Sequence, residues 1–142
     1  MATSHFASEW SLLQNQFDSY EKHSLLIKLS SIGVLSTAYF TNHLSLFVLF
    51  LLLILWLQDA IWKTFQARID ARLLQLEDYL SNEHTLENHN VIAFQFNSLY
   101  AQNRPGSIDL LKEYLSQSFR PTVAFPHIVL VTLLSLYLIF MR

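Results

Sequence analysis

Cysteine is absent from the 142 residues, which excludes disulfides and every thiolate metal or redox site. Glycine occurs twice and proline three times, a scarcity that favours long helices over a turn-rich β fold. Charge is sparse as well. Only 14% of residues are Asp, Glu, Lys or Arg, against roughly 25% in an average soluble domain. The net charge of −2 is spread along the chain, so no basic face for nucleic acid is visible. Residues 1–21 hold no Lys or Arg and the first apolar run begins near Ser24, a pattern unlike a secretory signal. Internal repeats, low-complexity tracts and lipidation motifs are missing. So are a phosphate-binding glycine loop, a nucleophile elbow and any ordered Ser/His/Asp set. The expectation is a protein that is not an enzyme and carries no cofactor.

What is present is apolar: 52% of residues are hydrophobic, with Leu and Phe prominent. Residues 122–141, TVAFPHIVLVTLLSLYLIFM, have the length to cross about 30 Å of hydrocarbon and contain no charge. A second span covers residues 43–61, whose centre LSLFVLFLLLILWL is apolar on every side. The weakest covers residues 25–40, LLIKLSSIGVLSTAYF, short and interrupted by Lys28; the alternative is a hydrophobic helix lying on or packing beneath the membrane. Thr41, Asn42 and His43 make a short uncharged link that suits a hairpin. Lys63, Arg68, Arg72, Arg104, Lys112 and Arg120 all fall between the second and third spans. The positive-inside rule makes that segment cytoplasmic, with the N-terminus cytoplasmic and the C-terminus outside. The expected fold is an all-α integral membrane protein: three transmembrane helices with a small cytoplasmic helical bundle. Its parts are an amphipathic cytoplasmic helix (1–23), a transmembrane hairpin (24–62), a cytoplasmic helical region (63–121) and a third span (122–142).

Two stripes shape the cytoplasmic parts. Phe6, Trp10, Leu13, Phe17 and Tyr20 recur every three or four residues, one face of a helix, with Thr3 or Ser4 placed to cap it. This N-terminal face is expected to pack on a partner helix. Lying in the membrane interface is the alternative, and the polar side lacks the Lys and Arg typical of such helices. Ile61, Phe65, Ile69, Leu73, Leu76 and Leu80 form the second stripe, a candidate assembly surface. Nothing between Leu44 and Leu80 breaks a helix, so one helix of about 55–60 Å is predicted from His43 to Ser81. Beyond the polar break at residues 81–90, residues 91–102 are predicted helical, with a short strand as the alternative. Arg104-Pro105-Gly106-Ser107 is a turn, and Ser107 is placed to cap a helix to Phe119 that buries Ile108, Leu111, Leu115 and Phe119. Pro121 ends that helix, and Pro126 falls early in the last span, where a missing amide costs least.

Lys28 and Asp59 are the charges nearest hydrocarbon, each about 20–24 Å from the outer face by helical rise, so they can meet near the inner boundary. The pair is a candidate pin for the hairpin. The alternatives are independent interface charges, with Lys28 snorkelling and Asp59 paired to Lys63, and a proton or ion path. Trp56 and Trp62, with Tyr39, Phe40 and Tyr137, fit aromatic belts. Ser30, Gly33, Ser36 and Thr37 make a small-residue surface suited to close helix approach. His84 and His89 lack the spacing of a helical zinc pair, and no metal is expected. His127, inside the third span, reads as a hydrogen-bonded packing residue.

The layout of amphipathic helix, span hairpin and extended cytoplasmic helix resembles small bacterial membrane proteins such as the hairpin effectors of conflict systems, on hydropathy over the first 80 residues. That resemblance implies a bacterial inner (cytoplasmic) membrane, with the C-terminus periplasmic. The expected function is helix-mediated assembly, as an accessory subunit or a homo-oligomer. Its partners would be membrane lipids and itself or another membrane protein, not nucleic acid. A homo-oligomeric pore or membrane effector is the first alternative and a membrane-bound immunity factor the second.

Overall fold

The computed structural model describes residues 2–81, 93–102 and 105–141. Two long helices occupy most of it. α1 runs from Ala2 to Phe40 without a break, because Gly33 alone in that stretch disfavours a helix. The N-terminal amphipathic segment and the first apolar segment are therefore one rod, and Thr3 and Ser4 lie inside its first turn instead of capping it. α2 runs from Leu46 to Ser81, starting three residues later than the hydropathy suggests.

The link between them closes α1 with backbone bonds, to which the Thr41 hydroxyl adds one to Thr37 O at 2.8 Å. Asn42 adopts a left-handed conformation, φ 56°, which asparagine tolerates. The His43 amide then donates to Ala38 O and the Asn42 amide to Tyr39 O, the paired bonds of a Schellman cap.

Three shorter helices follow: α3 (Phe96–Gln102), α4 (Ser107–Ser118) and α5 (Pro121–Phe140). No strand occurs among the described residues; Val91 and Ile92, part of the possible strand, lie outside them, as do His84 and His89. α4 begins after Gly106 with no side-chain cap, so Ser107 is its first helical residue and not its cap. α5 has Pro121 at its start, and Phe125 departs from helical geometry before a cis bond to Pro126. Two helices, α2 and α5, are long and apolar enough to cross a membrane. The 25–40 segment of α1 falls below that test, since Lys28 and its serines dilute its hydropathy.

Long-range contacts fix the packing. Along α1, Phe6, Glu9, Phe17, Glu21 and Ser24 meet Tyr79, Arg72, Gln66, Lys63 and Asp59 of α2 in turn. The two helices are thus antiparallel over their whole length. Glu113 meets Arg68, His127 meets Asp59, and Leu134 joins Leu52 and Val48, a descending order along α2, so α4 and α5 form one kinked column antiparallel to α2. The hydrophobic core of Ala38, Val48, Leu52 and Leu134 seals the hairpin end of these three columns.

Both predicted stripes are used inside the chain. Ile69, Leu73 and Leu76 are buried, Ile61 and Leu80 half-buried, and Phe65 exposed at one edge. Against them lies the N-terminal face, with Phe6 buried and Trp10, Leu13, Phe17 and Tyr20 half-buried. The assembly stripe is therefore largely consumed by α1 of its own chain. α4 does the opposite of what its periodicity suggests. Its polar side, through Glu113, Gln117 and Ser118, packs inward, and Ile108, Leu111, Leu115 and Phe119 face outward.

Candidate functional site

Large exposed apolar side chains begin at the same level on each column. Apart from scattered cases and the outward face of α4, they run on α1 from Leu25, broken by the small polar residues there, on α2 up to Leu57, and on α5 from Phe125 onward. The polar groups gathered inside the bundle lie at that level.

Asp59 is the centre, with no exposed surface. Its Oδ1 accepts the Ser24 hydroxyl at 2.5 Å, its Oδ2 lies 3.3 Å from His127 Nε2, and the Lys28 ammonium stands 3.7 Å away. Lys28 also donates to the Thr122 carbonyl at 2.8 Å, an acceptor left free because Pro126, four residues on, has no N–H to offer it. One carboxylate thereby ties α1 and α5 to α2. Lys63, the helical alternative for Asp59, turns instead to Glu21 and Gln66.

His127 is buried and stacks on Trp56, 6.3 Å between ring centres, while the Trp56 indole donates to Ser118 O at 3.0 Å. Ser31 Oγ lies 3.5 Å from His127 Nδ1 and donates to Ile27 O at 3.0 Å. The hydroxyl has one proton. It therefore serves Ile27 O or the His127 ring, and not both at once. The apolar core of Leu52 and Leu134 follows immediately on the hairpin side.

Sequence spacing could bring Lys28 to Asp59 but gave no reason to add His127, Ser24 and Ser31, which join only through helix packing. The weak signal available was a histidine in an uncharged span beside Pro126, a costly place for an imidazole without partners.

Above this layer a second set of polar contacts holds the half remote from the hairpin turn. Glu9 and Arg72 are both buried and pair through two bonds of 2.9 and 3.1 Å. Glu9 also accepts the Phe94 amide at 2.8 Å, which holds Phe94 in the left-handed region, φ 63°, a costly conformation for an aromatic residue. Arg68 binds Glu113 at 2.8 Å and the Tyr100 hydroxyl at 2.7 Å while its guanidinium faces the Tyr100 ring. Burial works against the Arg68 charge, and the Glu113 bond together with the nearby Glu113, Tyr100 and Tyr114 charges outweighs it, raising the Arg68 pKa. Hydrogen bonds from Lys63 and Gln66 lower the Glu21 pKa. Tyr20 and His23 pack on Trp62, with His23 stacked.

The small residues of α1 go largely unused within the chain. Ser30, Gly33 and Thr37 line an open groove of about 770 Å³ beside the hairpin turn, and a Cβ on Gly33 would meet nothing within 4 Å. No cluster of three metal-ligating side chains occurs among the described residues.

No family model, curated protein or solved structure matches this chain.

Proposed function

We propose that the chain is a three-span integral membrane protein, with a cytoplasmic N-terminus and a periplasmic C-terminus, that works by helix-mediated assembly and not by catalysis. Residues 25–40 of α1 count as the first span because they lie at the same level as the apolar parts of α2 and α5, and Leu25, Leu26, Leu29 and Ile32 point out of the bundle. Lys28, which dilutes the hydropathy of that segment, is turned inward to Asp59 and Thr122. A bacterial inner membrane fits the layout and the basic residues of the 63–121 segment.

The observation that carries assembly is α4. Its apolar face points away from the bundle, with Ile108, Leu111, Leu115 and Phe119 all about half or more exposed. A soluble helical bundle would turn that face inward. The partner is a second copy or another membrane protein whose helices also leave the membrane. A homo-oligomeric pore is the second reading, favoured by the groove that exposes Ser30, Gly33 and Thr37, small and polar residues on a membrane-facing helix.

Two experiments test these statements. Cysteine accessibility at Asn42 and Ser116 checks topology: Asn42 should label from outside and Ser116 from the cytoplasm, and the reverse refutes the three-span arrangement. Intact mass in mild detergent checks assembly, where a complex larger than the 16.6 kDa chain is expected. A clean monomer, also uncrosslinked in membranes, refutes both assembly and pore.

A further inference from the structure

Above the Asp59 layer the columns separate, and α1 no longer packs closely on the α4–α5 column as it does beside α5. The cleft between them, floored by α2, has a volume of about 170 Å³. This is below the roughly 300–1,000 Å³ of pockets for drug-sized ligands. Its wall carries both signs of charge: Lys63 and Arg120, Glu21 and Asp70. Among the described residues, Asp70 and Arg120 take part in no ion pair or hydrogen bond of their side chains. Gln117, nine-tenths buried in the same wall, has an Oε1 atom with no donor. Buried acceptors are rarely left so.

We infer that this cleft binds the headgroup of an aminophospholipid of the inner leaflet, phosphate toward Arg120 and Thr122 and ammonium toward Asp70 and Gln117. The inference rests on the three-span membrane reading. Level is the first argument. Along α2, Lys63 lies about 6 Å and Asp70 about 16 Å beyond Asp59, so the cleft rises out of the hydrocarbon through the headgroup layer, about 5–8 Å thick on each side. Order is the second. The free cation, Arg120, is at the membrane end beside Thr122, and the free carboxylate, Asp70, is at the far end, the sequence of charges of a phosphoethanolamine group met from its acyl side. Donor chemistry is the third. The Gln117 acceptor needs an N–H or O–H, which a primary ammonium supplies and a trimethylated one does not.

The test is native mass spectrometry of the full chain, purified in mild detergent and presented with equimolar phosphatidylethanolamine and phosphatidylcholine of identical acyl chains. Phosphatidylethanolamine should be retained about tenfold or more over phosphatidylcholine, the fold-change that one further hydrogen bond to a charged group confers. Asp70→Asn, an exposed and nearly isosteric change, should abolish that preference, and Arg120→Gln should weaken retention of both lipids. Gel filtration and circular dichroism check that both variants remain folded. Equal retention of the two lipids by the wild type, as for a water-filled cleft, overturns the site, as does a preference untouched by Asp70→Asn. Soluble phosphoethanolamine binding as tightly as the lipid would transfer the ligand to a free phosphoamine and overturn the lipid assignment. Release of the wild-type chain from membranes by alkaline carbonate would refute the membrane reading itself, whereas an integral chain without the lipid preference refutes only this site.

Discussion

Replacing Asp59 with alanine is expected to be the most destabilising single change in the half nearer the hairpin turn, and its size follows from the groups left behind. Asp59 is fully buried and engages Ser24, His127 and Lys28. Alanine removes the acceptor of a bond to a charged group, worth about 1.5–3 kcal/mol, and leaves a partly buried Lys28 without its countercharge. Breaking a buried pair from one side typically costs about 3–5 kcal/mol. The shallow position and the remaining Thr122 carbonyl partner of Lys28 place the expected loss near the lower end, about 3 kcal/mol. Asp59→Asn keeps an oxygen for the Ser24 hydroxyl and the side-chain volume, so about 1–2 kcal/mol is expected. The double change Lys28→Met with Asp59→Ala should cost less than the sum of its singles, because the stranded charge is gone. Equilibrium unfolding in mixed detergent micelles, followed by tryptophan fluorescence, measures the wild type, the three single variants and the double; Trp56 stacks on His127 and reports the site directly. Additive single and double changes, or an Asp59→Ala loss below about 0.5 kcal/mol, a size typical of surface substitutions, would refute the claim that this carboxylate pins the three columns.

Three further outcomes are expected. In the half remote from the hairpin turn, Glu9→Ala should cost about 3–5 kcal/mol by removing the buried countercharge of Arg72, and Arg72→Lys should also lose stability because one ammonium cannot reproduce two parallel bonds; chemical denaturation of each variant checks this. The Glu21 pKa is lowered by its bonds from Lys63 and Gln66, so its contribution is present above the ordinary value of 4.5 and fades as pH falls through the lower folded value. With the Glu21 side chain 61% exposed, solvent screens the pair to under about 1 kcal/mol. The stability difference between wild type and Glu21→Gln should therefore shrink on acidification across that window, and a difference that grows would contradict it. On α4, Leu111→Glu with Leu115→Glu should dissociate the complex in mild detergent while leaving helix content unchanged, because both side chains are exposed; an unaltered complex mass would move the assembly surface elsewhere.

Helix content and the two apolar helices were legible because they depend on local pattern: few glycines and prolines, an all-round apolar run in α2 and an uncharged run in α5. The long continuation of α2 past Leu57 was legible too, since a one-sided stripe replaces the all-round surface without a helix breaker. Periodicity misjudged α4 for a definite reason. It shows that Ile108, Leu111, Leu115 and Phe119 share a face but not which way the face turns, and here Glu113, Gln117 and Ser118 supply the inward contacts. The same limit applies to the stripe from Ile61 to Leu80, whose cover turns out to be α1 of the same chain.

By itself, then, the sequence determined the helices, the hairpin and the level at which charge enters the apolar region, because hydropathy and helical period act over neighbouring residues. Only the tertiary structure decided that α4 and α5 form one column against α2, and therefore that His127, Ser24 and Ser31 close around Asp59. Those residues are 35 to 96 positions apart in their paired contacts. No local preference sets such a meeting; it follows from the register in which three rods pack, where burying one carboxylate compels each neighbour to offer a donor.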